Sequence, residues 1–432
     1  GRIVIFASGK DRQDAGEPHT NFSLNRRKGI LTLCNAGGQV ISSVSYAALE
    51  GNVSYALDES TGTWNETTHA TPGFANDDAG YAAFQEQLSA ASPLLLNEAM
   101  PGNDSLLEQS MGTYYDWIEL KNQSKSDVNL ADYSITDDLE NGTPCPLPNQ
   151  VLEPGKVVVL LCTGSEPLAK PEYAQIALSL DSAQETLFLL DSSGKVQDRL
   201  TLADIPYGAS SGRMPGKNGQ FYFSVPTPGK ANKNGFRLVS DIPVSDVASG
   251  VYNDVSSLTV SLSGEGTIFY TTDGSVPTAR SKKYTEPITI TRTTVIRAAT
   301  KAEDKMISRP LSLHYFLNEG HTLPIVSVVT DEDNIEGQDG ILATSNLFDR
   351  TVERPASVAF FSDEGSFSAD CGFKLHGAGS RGRLRKKSFK VVFRQRYGMA
   401  QLDFPLFEDG DTTEFDSFLI RNSQDFSRTM IR

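Results

Sequence analysis

Short apolar runs, each closed by Gly, Pro, Asn or Asp, recur along the whole chain: "GILTLCN", "KVVVLLCTG", "ETLFLLD", "LTVSLSG" and "TIFYTTDG". Runs of this length, rich in β-branched and aromatic residues and bounded by turn formers, predict strands. The chain therefore reads as mostly β. The exception is "DDAGYAAFQEQLSAAS" at 77 to 92, where Tyr81, Phe84 and Leu88 recur at spacings of three and four and predict a short amphipathic linker helix. The longest purely apolar run, Val157 to Cys162, is six residues. That is far short of the roughly 20 needed to span a bilayer as a helix.

The strand pattern repeats. "TPGFAN" at 71 to 76 returns as "TPGKAN" at 227 to 232, an offset of 156, and the same offset pairs Leu31 with Leu187, Leu33 with Leu189, Gly38 with Gly194 and Val40 with Val196. An ungapped register over about forty residues marks a duplicated unit. The second copy starts near Pro93, so a first copy of equal length would start roughly 60 residues before Gly1. Residues 1 to 76 are accordingly expected to be the back half of a domain. Cys34 and Cys162 fall in hydrophobic slots of the pattern and are expected to be buried apolar residues.

The second copy carries, in order, "LLLNEAMPGN" (94 to 103), "YYDWIELKNQS" (114 to 124), "VNLADYSITDD" (128 to 138), "LEPGKVVVLLCTG" (152 to 164) and "TPGKAN". These segments resemble a bacterial lamin-tail domain over 93 to 233, which implies an immunoglobulin-like sandwich. Trp117, Ile118 and Leu120 then read as core, and the adjacent Asp137 and Asp138 as a solvated turn without metal chemistry. From 236 to 318 a third unit contains "YTTDGSVPT" and "YTEPITITRTTVIRAAT", which resemble the small domain at the C-terminus of chitobiase and hexosaminidase-type proteins. That resemblance implies another Ig-like module. It does not imply sugar hydrolysis, and it leaves carbohydrate binding open.

Charge singles out the fourth unit. The chain has 39 Lys and Arg against 54 Asp and Glu, a net charge of -15, yet residues 372 to 396 hold nine cations and no acid. These are Lys374, Arg381, Arg383, Arg385, Lys386, Lys387, Lys390, Arg394 and Arg396. "HGAGSRGRLRKKS" sets three glycines among hydroxyl and cationic groups between two predicted strands, a loop whose backbone can approach phosphates while side chains neutralise them. Alternation in "KKSFKVVF" puts Lys387, Phe389, Val391 and Phe393 on one face. Lys387 is thus the first candidate for a nucleotide contact and Lys390 the second. Arg381 and Ser380 are candidate phosphate contacts, with Arg421 and Asn422 as a supporting pair.

The segments "LPIVSVVTDEDN", "RPASVAFFSDEG", "CGFKLHGAGSRGRLRKKSFKVVFRQRYG", "FPLF" and "FLIRNSQDFSRTMIR" resemble, in order, the N-terminal part of the CotH family of spore-coat-associated and secreted atypical protein kinases. The resemblance implies the smaller, ATP-covering lobe over 319 to 432, truncated. Its catalytic and metal-binding acids are expected beyond Arg432. ATP and a divalent metal, Mg, are the implied cofactors, and a coat or envelope protein is the implied substrate. The implied location is extracellular, at the cell surface or spore coat.

The expected fold class is therefore mainly β, with tandem Ig-like sandwiches followed by a truncated α+β kinase-like N-terminal lobe. The alternative is a non-catalytic adhesin or scaffold that binds cell-wall polysaccharide or protein. No GxxxxGK[ST], protein-kinase GxGxxG, GxSxG or HExxH pattern occurs. Nucleic acid is disfavoured, because the aromatics within the basic segment fall mainly on its apolar face. His376, beside Gly377, reads as a structural histidine ahead of a catalytic one.

Overall fold

The computed structural model describes residues 2–7, 18–24, 28–47, 49, 53–109, 114–139, 142–164, 168, 172–182, 184–217, 219–320, 322–343, 352–377, 381, 385–407 and 412–422. The chain divides into two compact units, one formed by Gly1–Pro93 with the short segments Asp138–Thr143 and Lys217–Gly219, the other by the remainder.

In the first unit, β1 (Gly29–Cys34) pairs antiparallel with β2 (Val40–Tyr46), and β3 (Ser54–Leu57) with β4 (Trp64–Thr67). The helix expected over 77 to 92 is α1 (Asp78–Ala91). It starts where the Asp77 carboxylate accepts the Gly80 amide at 2.7 Å, the usual way to satisfy a first-turn donor. Gly80 is required there, since a Cβ would lie 1.9 Å from the Ala75 carbonyl oxygen. Ring contacts between His69 and Tyr81 (4.2 Å) and between Phe74 and Phe84 (6.2 Å) bind the helix to the turn before it. Cys34, expected to be buried, is exposed, because no described element covers that face of β1; Cys162 is buried as expected.

The second unit opens with a sandwich. Its strands are β5 (Leu94–Met100), β6 (Asp116–Asn122), β7 (Tyr133–Thr136), β8 (Cys145–Pro146), β9 (Val157–Cys162), β10 (Ala174–Ile176), β11 (Gln184–Asp191), β12 (Val196–Ala203), β13 (Ser210–Arg213) and β14 (Gln220–Phe223). The described residues form one sheet in the order β10-β9-β6-β5-β13-β14 and a facing sheet β12-β11-β7-β8. Ile118 and Leu120 point into the core between the sheets, with Leu187, Leu189 and Leu200 opposite. Trp117 points the other way, into a second cluster with Met100, Val159 and Leu161. β5 and β6 are therefore buried on both faces.

Two carboxylates lie inside this sandwich. A bulge at Asn97 breaks the register between Leu96 and Glu98 and sets Glu98 directly opposite Glu119 of β6. Glu98 accepts the Ser210 hydroxyl at 2.5 Å and the Thr227 amide at 3.1 Å. Glu119 accepts the Asn97 amide nitrogen at 2.5 Å and the Gly229 amide at 2.6 Å. Asn232 closes the set, donating to the Asn97 carbonyl at 3.2 Å and the Arg213 carbonyl at 2.8 Å. The Asn-Glu, Trp-Ile-Glu and Thr-Pro-Gly motifs thus meet in one buried network that latches the end of the domain onto its first two strands. Beside it, Arg213 pairs with Asp198, whose other oxygen accepts the Leu96 amide at 2.9 Å.

The next module has a sheet in the order β15-β19-β18-β16-β17, from β15 (Gly250–Tyr252), β16 (Thr267–Thr271), β17 (Lys282–Lys283), β18 (Thr294–Lys301) and β19 (Leu311–Leu317). Leu258–Val260 paired with Ile288–Ile290 forms an opposing layer, and Val260, Ile290, Ile296 and Tyr315 fill the space between. Gly274, at φ +90, makes the turn after β16 that Asp273 supports by accepting the Ser275 amide at 3.0 Å. The C-terminal sheet is an antiparallel meander of β20 (Ile325–Val329), β21 (Glu353–Ser362), β22 (Gly365–His376), β23 (Ser388–Val392) and β24 (Ser417–Ile420), in the order β20-β21-β22-β23-β24. Its described α-helical residues are the five-residue α2 (Glu332–Glu336) and Arg381. The expected α+β character is thus not seen in this part: the strand pattern forms strands, and the kinase likeness rests on the resemblance alone.

Loss of hydration pushes the Glu98 carboxyl up to about 7, with Glu119 adding to the rise and the Ser210 and Thr227 donors opposing it. The folded state therefore holds a proton that the unfolded chain releases near 4.5, and stability falls as pH rises from about 4.5 to about 7. Glu98→Gln is expected to abolish this contribution. In urea titrations its stability relative to wild type should improve by on the order of 3 kcal/mol between those pH values. Parallel pH profiles for the two proteins would contradict the assignment.

Candidate functional site

β22, β23 and β24 share a face because paired residues point the same way: Lys374 opposes Lys390, His376 opposes Ser388, and Lys390 opposes Leu419. The other face is core, where Phe373 and Phe389 stack at 4.8 Å over Leu375, Val391 and Phe393. Gly377, at φ +94, turns the chain out of β22 into the basic loop. His376 sits beside it, and its pKa is lowered first by burial and then by Lys390, Arg421 and Arg381. None of the groups that shift it is an acid. Three cations, from β23, from the end of β24 and from the basic segment, thus act on His376.

The other sequence candidates fall around this cluster. Ser380 lies outside the described residues. Arg381 is buried, and its carbonyl accepts a hydrogen bond from the Lys387 ammonium. Lys387 therefore stands just before β23 and secures the loop backbone, whereas Lys390 is the lysine that the strand presents on the polar face. Asn422 acts through structure: its amide nitrogen donates to the Ser388 hydroxyl at 3.0 Å, and its side chain donates to the Lys386 carbonyl at 2.9 Å. This holds β24 against β23 so that Arg421 reaches the same cluster.

Three of the nine cations of the basic segment have a different role. Lys374 and Arg394 both pair with Glu353, at 2.9 and 3.0 Å. Burial pushes the Glu353 carboxyl up, but these two cations pull it down to about 2. Arg396 pairs with Asp116 of the first sandwich at 3.2 Å and donates to the Asn103 carbonyl at 2.8 Å. Glu353 and Asp116 escaped sequence reasoning because both lie far from the segment in the chain. The absence of any acid within the segment was the available signal that acids elsewhere must pair with it.

Around Arg396 the three β modules of the second unit meet. Tyr207 and Tyr397 stack at 5.7 Å, and the Ser182 hydroxyl donates to the Arg396 carbonyl at 2.9 Å. Arg309 donates to Asp370 and to the Tyr397 carbonyl, each at 3.1 Å. The Val276 amide donates to Asp331 at 2.9 Å. A cavity of about 600 Å³ lies among these groups. Its cations are already engaged, Arg309 by Asp370 and Arg297 by the Gly274 carbonyl at 3.0 Å. No group of three or more His, Cys, Asp or Glu that could hold a metal converges among the described residues.

Comparison with protein families accounts for the two sandwiches. Residues 87–204 match the family described as Lamin Tail Domain, and residues 247–311 match the Chitobiase/beta-hexosaminidase C-terminal domain. The chain thus carries one domain of each kind, both Ig-like, and the C-terminal sheet lies outside both matches. No curated protein matches the chain. No helix among the described residues is long and apolar enough to cross a membrane.

Removing one partner of a buried ion pair leaves the other charge without compensation. Arg396→Ala is accordingly expected to destabilise the second unit by about 3–5 kcal/mol in denaturant unfolding. Asp116→Asn combined with Arg396→Met should recover a large part of that loss. Additive losses would show that the two residues are not coupled.

Proposed function

We propose that the C-terminal sheet is the phosphate-binding lobe of a CotH-like, ATP-dependent protein kinase, carried by β-sandwich modules that hold it rigidly on a surface. The observation that supports this reading is that Arg381, Lys390 and Arg421 act together on His376, next to Gly377, with no acid among the groups acting on the histidine. Phosphoryl transfer rests on positioning and on stabilising negative charge, and such a cluster supplies both to the phosphates of a nucleotide. Lys390 and Arg421 contribute charge from adjacent strands. Lys387 and Asn422 hold the loop and the edge strand that place them.

In this reading ATP brings a divalent metal with it. The substrate in this reading is Ser or Thr on a coat or envelope protein, and the location is extracellular or at the cell surface. A second reading has support in the ion-paired junction of the three modules. It treats the chain as a scaffold whose sandwiches contact protein or wall glycan and whose sheet has no catalytic part.

Histidine NMR with added ATP separates the two. His376 is expected to titrate below the usual 6.5 in the free protein and to move upward when phosphate charge enters the cluster. Lys390→Ala and Arg421→Ala should each weaken ATP binding about tenfold, the loss expected for one charge-assisted contact. A His376 titration indifferent to ATP, with unchanged affinity in both variants, would leave the scaffold reading.

A further inference from the structure

The cavity at the junction of the three β modules joins apolar walls to charged groups that the chain leaves short of partners. Its volume of about 600 Å³ lies within the roughly 300–1,000 Å³ of small-molecule sites. Pro206, Phe236, Pro277, Met306, Ile307 and Pro310 supply apolar wall. Three of these are prolines, whose ring fixes φ, so the wall is set before a ligand arrives.

Arg297 lines this cavity and is only 6% exposed. Its Nη1 donates to the Gly274 carbonyl at 3.0 Å, its Nε is buried without a partner, and its Nη2 makes no hydrogen bond among the described residues. Burial lowers its pKa, and the charges of Asp370 and Asp331 oppose this without forming an ion pair with it. Asp370 is taken by Arg309 at 3.1 Å, and Asp331 accepts the Val276 amide at 2.9 Å. A guanidinium held out of water with free N–H groups calls for an acceptor, and an anionic acceptor binds it best. Lys301, the other cation of the wall, is turned back onto the Ala302 and Lys305 carbonyls.

Asp104 is the opposite case on the same cavity. Loss of hydration raises its carboxyl, against the Ser105 hydroxyl and the charges of Arg354 and Arg396. Those arginines are held elsewhere, Arg354 by the Asp339 carbonyl at 2.6 Å and Arg396 by Asp116 at 3.2 Å. Asp104 has no ion pair among the described residues, and an ammonium would supply one. Arg297 is not among the groups that shift Asp104, nor Asp104 among those that shift Arg297, so the two stand on separate parts of the wall.

We propose that this cavity binds a short peptide of apolar residues, its free amino end on Asp104 and its carboxylate on Arg297. Each end meets a group of opposite charge that lacks one, and the apolar side chains displace water from the wall. A dipeptide suits the separation better than a single amino acid, because each added residue carries its two charges up to about 3.5 Å farther apart. The site is distinct from the groups at His376 and depends on neither reading of the C-terminal sheet.

Calorimetric titration of the full chain with the dipeptide Leu-Leu tests this, with methyl NMR shifts at Met306 and Ile307 to locate the ligand. A Kd of about 1 mM or tighter is expected. Acetylating the amino end or amidating the carboxyl end should each weaken binding at least about tenfold, the loss expected for one charge-assisted contact. Asp104→Asn should abolish the preference for the free amine over the acetylated form. The blocked peptides probe both ends in the unaltered protein, so the result does not depend on whether an Arg297 variant folds. Absence of Leu-Leu binding would overturn the proposal, as would equal affinity for the blocked peptides or binding that leaves Met306 and Ile307 unshifted.

Discussion

The pairing of Glu98 and Glu119 with the backbone of the closing turn is the constraint on which the first sandwich depends. Two carboxylates placed opposite each other in a sheet interior repel and lose hydration, a combination that strands tolerate only when donors are brought to them. The donors are the amides of Thr227 and Gly229 and the side chains of Ser210 and Asn97. Satisfying the acids therefore requires the last turn of the domain to lie on its first two strands. A local sequence feature thereby becomes a long-range topological one.

The same economy of buried charge organises the junction of the three β modules. Arg396 leaves the C-terminal sheet to neutralise Asp116, and Glu353 collects Lys374 and Arg394. Tyr207 and Tyr397 stack beside these pairs. Part of what looks in sequence like an anion-binding stripe is therefore mortar between modules. The reading of the sheet as a phosphate-binding lobe rests on a different set, His376 with Lys390, Arg421 and Arg381.

Within the first unit the repeat shows which features are local. Hairpin register, turn glycines and closing-turn hydrogen bonds recur in both copies, whereas Leu31 and Leu33 are exposed where Leu187 and Leu189 are buried. Cys34 illustrates the difference: its position in the pattern is apolar, and nothing among the described residues covers it.

Strand positions, the helix at Asp78–Ala91, the 156-residue register and the core roles of Trp117, Ile118 and Leu120 were legible in the sequence. Each follows from side-chain periodicity or turn chemistry over a few neighbouring residues. The destinations of charged groups were not. Asn97, Glu98 and Glu119 carried family motifs without a visible purpose, and Lys387 ranked above Lys390 because alternation alone put it among apolar neighbours. Only the fold decides these, because an ionised side chain is placed by whichever opposite charge or backbone dipole the topology brings near it. Asp116, which pairs with Arg396, and Gly229, whose amide binds Glu119, each lie more than a hundred residues from that partner along the chain.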